Sequence, residues 1–253
     1  MRHEALLDLT GKVALVTGGS RGLGLEMVRA FSERGADVVV ASRKGDACVA
    51  VAEEVQQRFG NQAHAVAANI SDWDQCDALA DAAYDRFGRV DILVNNAGLS
   101  PLYSSLDAVD EKLFDKVMAV NLKGPFRLTA LIGTRMAAGD GGAVLNISST
   151  GALRPDPEFL PYAAAKAGLN TLTEGFAKAY GPSVRVNGIM AGRFATDISK
   201  AWDMASVADQ AKAEFALQRI GQPSEIIGAA LYFISDASSY CTGSVLTVDG
   251  GGS

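Results

Sequence analysis

The chain has 253 residues, 48% of them hydrophobic, with three cysteines, two histidines and a formal net charge of −6. That length and apolar content suffice to bury one large core, and with no Lys/Arg block a nucleic-acid or polybasic membrane surface is not expected. Cys48, Cys76 and Cys241 lack CxxC spacing and sit apart from His3 and His64, so neither a disulfide framework nor a metal site is expected.

The opening "MRHEALLDLTGK" lacks an apolar leader core, and no apolar run approaches the length of a membrane span; the expected compartment is the cytoplasm. Short β-branched runs then alternate with longer helical patterns. "VALVTG" precedes "GLEMVRAFSERG", "DVVVAS" precedes "DACVAVAEEVQQRFG", "HAVAANI" precedes "WDQCDALADAAYDRFG", and "VDILVNNAG" follows. Val51, Val55 and Phe59 recur four apart, with Glu54 and Arg58 on another face, as in a surface helix lying on a sheet. The strands are near-continuous apolar runs, as expected when helices cover both faces of a parallel sheet.

The second half adds a helix after "VNLKGPF", the strand "GAVLNISS", a helix from Pro161, and the strands "VRVNGI" and "SVLTVDGG". The expected architecture is a single-domain α/β Rossmann fold, a doubly wound parallel sheet with helices on both faces. It spans residues 1–253, with a short N-terminal extension at 1–9. Residues 192–215 break the rhythm and are the candidate lid over a ligand.

The first strand ends in "TGGSRGLG", Thr17 to Gly24, and runs directly into a helix. Glycines there permit positive φ and close approach of a pyrophosphate, while the helix N-terminus offers unpaired N–H groups. The spacing Gly18-x3-Gly22-x-Gly24 is not the strict GxGxxG fingerprint, and alone it also fits a plain strand-to-helix turn. Companion motifs follow in order: "NNAG" at Asn95 to Gly98, Asn121 in "VNLKGPF", Ser148 and Ser149 in "ISS", "YAAAK" from Tyr162 to Lys166, and "TGSVLTVDGG" near the end. Together they resemble the short-chain dehydrogenase/reductase family over essentially the whole chain, and in particular NADP(H)-preferring members similar to 3-oxoacyl-(acyl carrier protein) reductases.

Residues four apart on a helix share a face, so Tyr162 and Lys166 can point into one site. A tyrosine titrates near ~10, and a neighbouring ammonium is expected to pull that value down; about three units would correspond to ~4 kcal/mol. The resemblance implies that Tyr162 donates a proton to a carbonyl oxygen as hydride arrives and takes it back in the oxidative direction. It implies that Lys166 lowers the Tyr162 pKa and hydrogen-bonds the nicotinamide ribose. Ser149, thirteen positions before the tyrosine, rather than Ser148, would orient the carbonyl, and Asn121 would kink its helix and hold a water behind the lysine. With neither histidine near these motifs, a Ser-His-Asp hydrolase has no base.

About twenty positions beyond the glycine turn, where an acid would select NAD, the chain has Ser42, Arg43 and Lys44. Arg21 is a second cation inside the turn. A guanidinium fork suits phosphate, and each charge-assisted contact is worth about 1.5–3 kcal/mol. The expected cofactor is therefore NADP(H); the alternative is an arginine solvated on a loop beside Asp46. The resemblance assigns the turn's share of the cofactor site to Gly18, Ser20, Arg21, Gly22, Leu23 and Gly24. It adds Ser42, Arg43 and Lys44 after the second strand, and Asn69, which stands where an aspartate is common, with Ile70. Asn95, Ala97 and Gly98, then Tyr162 and Lys166, and finally Gly192, Phe194 and Thr196 complete it.

Ala191 stands where the family often writes proline, which is expected to loosen the turn below the lid. Phe194, Ile198, Trp202, Met204 and Phe215 either line a substrate pocket or pack the lid onto the domain, and Tyr103 and Arg154 fall in loops around the substrate mouth. The expected activity is hydride transfer between NADP(H) and a ketone or secondary alcohol, the small-molecule substrate being a 3-oxoacyl thioester or a small ketone, sugar or polyol. The rivals are an NADH-linked alcohol or polyol dehydrogenase of the same family and a dinucleotide-binding regulatory protein without turnover. The resemblance also implies a homotetramer that buries the helices starting near Asp107 and Pro161 and the C-terminal strand edge.

Overall fold

The computed structural model of the protein describes residues 6–196 and 204–252, without the side chains at 204–206 and 208. Ile198, Trp202 and the Met204 side chain of the expected lid set therefore lie outside the described residues, as do residues 1–5 of the N-terminal extension. Seven strands form one sheet: β1 (Val13–Thr17), β2 (Asp37–Ser42), β3 (Ala63–Ala67), β4 (Ile92–Asn95), β5 (Gly142–Ser149), β6 (Val184–Ala191) and β7 (Val245–Val248). All pairings are parallel, in the order β3-β2-β1-β4-β5-β6-β7. Every strand expected from its apolar run is present.

Helices cover both faces. On one, α1 (Gly22–Glu33), α2 (Gly45–Phe59) and α8 (Ile227–Ile234) bury Met27, Phe31, Val51, Val55, Ala230 and Phe233 against the sheet. On the other, α3 (Trp73–Phe87), α5 (Gly124–Ala138) and α6 (Leu160–Tyr180) contribute Leu79, Ala83, Leu128, Ile132 and Ala177. Each fully buried large side chain contributes about 1.5–3 kcal/mol, so the two clusters hold the sheet rigid between them. On α2, Glu54 pairs with Arg58 and, across to α1, with Arg29 at 2.8 Å, which accounts for the polar face read from the sequence.

The helix expected to begin near Asp107 starts later. Leu106–Ala108 forms only a 3-10 turn, and α4 (Glu111–Met118) opens behind Asp110, whose carboxylate accepts from the Leu113 amide at 2.7 Å. An aspartate N-cap satisfies amides that the helix itself cannot pair, so the helix starts where the cap is. Residues Ala119–Lys123 then widen into a π-helical segment before α5 continues. After β6, α7 (Met204–Glu214) falls within the expected lid.

Candidate active site

The strand order reverses between β1 and its two neighbours, β2 and β4, and in such sheets ligands bind outside the carboxyl ends of the strands at that switch point. Two residues build the crevice there. The Thr17 hydroxyl donates to the Val94 carbonyl and accepts from the amides of Asn96 and Ala97 at 3.0 and 3.1 Å. The Asn96 amide group donates to the carbonyls of Thr17 and Gly18. Thr17 and Asn96 thus lock the glycine turn to the "NNAG" loop; neither was singled out in the sequence, although each lies within one of these two motifs.

The turn has the shape a pyrophosphate needs. Gly18 and Gly22 hold φ of 65° and 55°, and a Cβ on Gly24 would overlap the Gly18 carbonyl oxygen. Above Gly22 the Thr196 side chain stands 3.6 Å from where a Cβ would be, leaving a slot between the turn and the segment after β6. The residues present therefore fit a dinucleotide. Ser20 and Ser42 hydrogen-bond each other at 2.9 Å, joining the turn to the end of β2. Arg21, Arg43 and Lys44 are exposed around this bond, and none of their side chains has an ion-pair partner among the described residues, Asp46 included.

Other expected cofactor positions differ in what they offer. Asn69 turns its Oδ1 to the amide and hydroxyl of Ser71, which leaves its Nδ2 without a partner among the described residues. The side chains of Ile70 and Phe194 are buried, and Leu23 is half-buried against the core. Asn95 points away from the crevice: its Nδ2 donates to Thr129 Oγ1 and Asn146 Oδ1, both at 2.9 Å. Because successive side chains on a strand alternate in direction, the end of β4 aims Asn95 into the packed face. Gly192 donates its amide to the Val248 carbonyl, and Ala191, where the family often has proline, ends β6 in register with Val248.

The chemistry-bearing residues meet at the ends of β5 and α6. The Ser149 hydroxyl accepts from the Gly151 amide at 3.2 Å and stands close enough to the Tyr162 phenol to favour its ionised form. Lys166, only 3% exposed, places its Nζ 5.6 Å from the Tyr162 ring centroid and donates to the Ile147 carbonyl at 2.8 Å. Ser148 is instead buried, its hydroxyl donating to the Lys166 carbonyl at 3.3 Å. Asn121 sits in the π-helical segment, where its Nδ2 donates to the carbonyls of Val117 and Leu99 at 2.8 and 2.7 Å and its Oδ1 accepts from the Leu99 amide. A Cβ on Gly98 would lie 3.2 Å from Asn121 Oδ1 and 3.8 Å from Lys166 Nζ, so the "NNAG" loop passes directly over the lysine.

The direction of the tyrosine's shift is opposite to the expected one. Burial pushes the Tyr162 phenol above its ordinary value of 10.0, opposed only by the Ser149 hydroxyl, and burial holds the Lys166 ammonium down to about 8. Burial thus favours the neutral form of both members of the pair. Among the described residues no cluster of potential ligands could hold a metal ion, and no helix is long and apolar enough to cross a membrane.

Residues 18–253 match the family model described as enoyl-(acyl carrier protein) reductase. A 3-oxoacyl-(acyl carrier protein) reductase of Chlamydia trachomatis is 36% identical over 248 residues, covering 96% of this chain and 98% of that protein. The chain belongs to the short-chain dehydrogenase/reductase family. As a member it is an oxidoreductase that transfers hydride between a nicotinamide dinucleotide and CH–OH or C=O groups. The backbone agrees with this short-chain dehydrogenase/reductase assignment. A structure of 7α-hydroxysteroid dehydrogenase complexed with NADH and 7-oxo glycochenodeoxycholic acid superposes with a TM-score of 0.94 at 36% identity, covering 100% of this chain and 98% of that one. L-sorbose reductase from Gluconobacter frateurii, complexed with NADPH and L-sorbose, superposes with a TM-score of 0.91 at 26% identity, covering 97% and 98%.

Proposed function

We propose that the protein is an NADP(H)-dependent reductase of ketones, acting as one dinucleotide-binding and catalytic domain over residues 1–253, with 192–215 as its lid. The observation that carries the cofactor choice is the pair of exposed arginines, Arg21 and Arg43, flanking the Ser20–Ser42 hydrogen bond without a carboxylate partner among the described residues. A dianionic 2′-phosphate supplies the charge they lack, and an acid at that strand end would repel it.

When bound, the nicotinamide supplies or accepts hydride. Tyr162 holds the proton at its phenol oxygen, and its raised pKa keeps that oxygen protonated at neutral pH, which suits an acid that protonates a carbonyl being reduced. Ser149, oriented by the Gly151 amide, presents its hydroxyl to the same oxygen and stabilises the charge developing there. One donor of Lys166 goes to Ile147, which leaves two to hold a ribose hydroxyl and, once the phenol proton has passed to the carbonyl oxygen, to return a proton toward the Tyr162 phenolate, the lysine being reprotonated from solvent. Asn121 keeps Leu99 in place, and with it Gly98 above the lysine. The substrate is a small ketone or secondary alcohol.

The apolar side chains Leu106, Phe114, Phe126 and Leu160, exposed on the 3-10 turn before α4, on α4 and α5 and at the start of α6, support a homotetramer that covers this face. The cytoplasm is the proposed compartment. The cofactor assignment is tested by fluorescence titration with NADPH and NADH on wild type and Arg43→Asp. The expected result is tighter binding of NADPH, about tenfold or more, abolished by the substitution. Equal affinities in wild type would favour an NADH-linked enzyme instead.

A further inference from the structure

The helix that carries Tyr162 and Lys166 begins without a side-chain cap of its own. Phe159 occupies the N-cap position with φ −143° and ψ 34°, and no side-chain cap hydrogen bond is made there. The first amides of a helix have no partners within it, and Pro161 merely removes one of them. The missing acceptor comes from elsewhere in the chain. The Tyr103 hydroxyl accepts from the Leu160 amide at 2.8 Å and donates to the Pro157 carbonyl.

Tyr103 lies in the loop that follows β4, whose other end is held by the Leu99–Asn121 hydrogen bonds. The loop thus joins the π-helical segment to the first turn of α6. Beneath it, Pro101, Tyr103, Phe159, Pro161 and Tyr162 line one small cavity. The Phe159 and Tyr162 rings meet edge to face, 6.3 Å apart at 81°, and Phe159 also packs against Gly151, where a Cβ would come within 2.8 Å of its ring.

We infer that Tyr103 is a positioning residue for Tyr162: its hydroxyl caps the catalytic helix across 57 positions and fixes the height of the phenol over Ser149. This rests on the proposed proton-donating role of Tyr162. Both bonds of the Tyr103 hydroxyl are spent on the backbone, so it acts through the helix and not on substrate. Tyr162 is in the first turn, the part of a helix that opens most readily, whereas Lys166 is one turn further in and anchored to β5. Loss of the cap therefore disturbs the Ser149–Tyr162 pair first.

The test is Tyr103→Phe, which keeps the ring and removes only the hydroxyl, read in two ways. Amide hydrogen exchange needs no turnover: peptides spanning the start of α6 exchange about tenfold faster in the variant, while those around Lys166 are unchanged. In steady-state ketone reduction kcat falls about tenfold, KM for the nicotinamide cofactor changes less than about twofold, and the alkaline limb of the kcat–pH profile moves. Unchanged exchange overturns the cap. Faster exchange with an unmoved kcat and pH profile overturns the positioning role and leaves a purely structural hydroxyl. Absence of turnover in wild type refutes the reading of Tyr162 itself, an outcome separate from the exchange result.

Discussion

Lys166 Nζ lies 5.6 Å from the centre of the Tyr162 ring and is tethered to the Ile147 carbonyl at 2.8 Å, with no carboxylate among its described partners. A buried ammonium held only by a carbonyl is costly, which is why burial lowers its pKa to about 8. The folded protein thus sheds this proton near pH 8, whereas the unfolded chain keeps it to about 10.4. Between those values the unfolded state binds more protons, so this group's contribution to stability rises with pH across the window and is least favourable below it. Thermal melts of wild type and Lys166→Met should accordingly show the variant's relative advantage largest below pH 8 and shrinking as the pH approaches 10. A pH-independent difference would mean that Lys166 is not titrating in this window.

The glycine turn makes a sharper claim about shape. Gly24→Ala drives a methyl into the Gly18 carbonyl and the Asn96 amide, which together form the floor of the crevice. Overpacking of this kind typically costs about 1–3 kcal/mol. The variant should melt lower and lose measurable binding of NADPH by fluorescence titration; retained affinity would show that the dinucleotide does not lie over this turn.

Asn121→Leu tests the link between the helical rod and the loop over Lys166. It removes the partner of both the Leu99 amide and carbonyl, and buried groups left unpaired cost about 1–3 kcal/mol each. Denaturant unfolding should report that loss, and cofactor affinity should fall with it because Gly98 adjoins Leu99. An effect on stability without one on cofactor binding would confine Asn121 to a structural role.

Much of this arrangement was legible in the residues, and the exceptions have physical causes. Runs such as "DVVVAS" and "GAVLNISS" are apolar because both sheet faces are covered, so the parallel sheet followed directly. The four-residue spacing of Tyr162 and Lys166 correctly implied a shared face, but spacing carries no information on burial, and burial set the sign of the Tyr162 shift. Asn95 was read by its motif, whereas the alternation of β4 turns its side chain toward Thr129 and Asn146. The helix irregularity expected at Asn121 is present as the π-helical segment Ala119–Lys123, whereas the α6 cap depends on Tyr103 meeting Leu160, a contact so distant in sequence that it leaves no local pattern.

The central claim is that Tyr162 delivers the proton while the rest of the site binds the nicotinamide. The most direct test follows the absorbance of NADPH with a panel of ketones, comparing wild type with Tyr162→Phe, and titrates both with NADPH. The account predicts NADPH oxidation by wild type, a loss of at least about a hundredfold in the variant, and cofactor affinity within about twofold of wild type. Turnover surviving in Tyr162→Phe would contradict it, and cofactor binding without turnover by wild type on every ketone would favour a regulatory dinucleotide-binding protein.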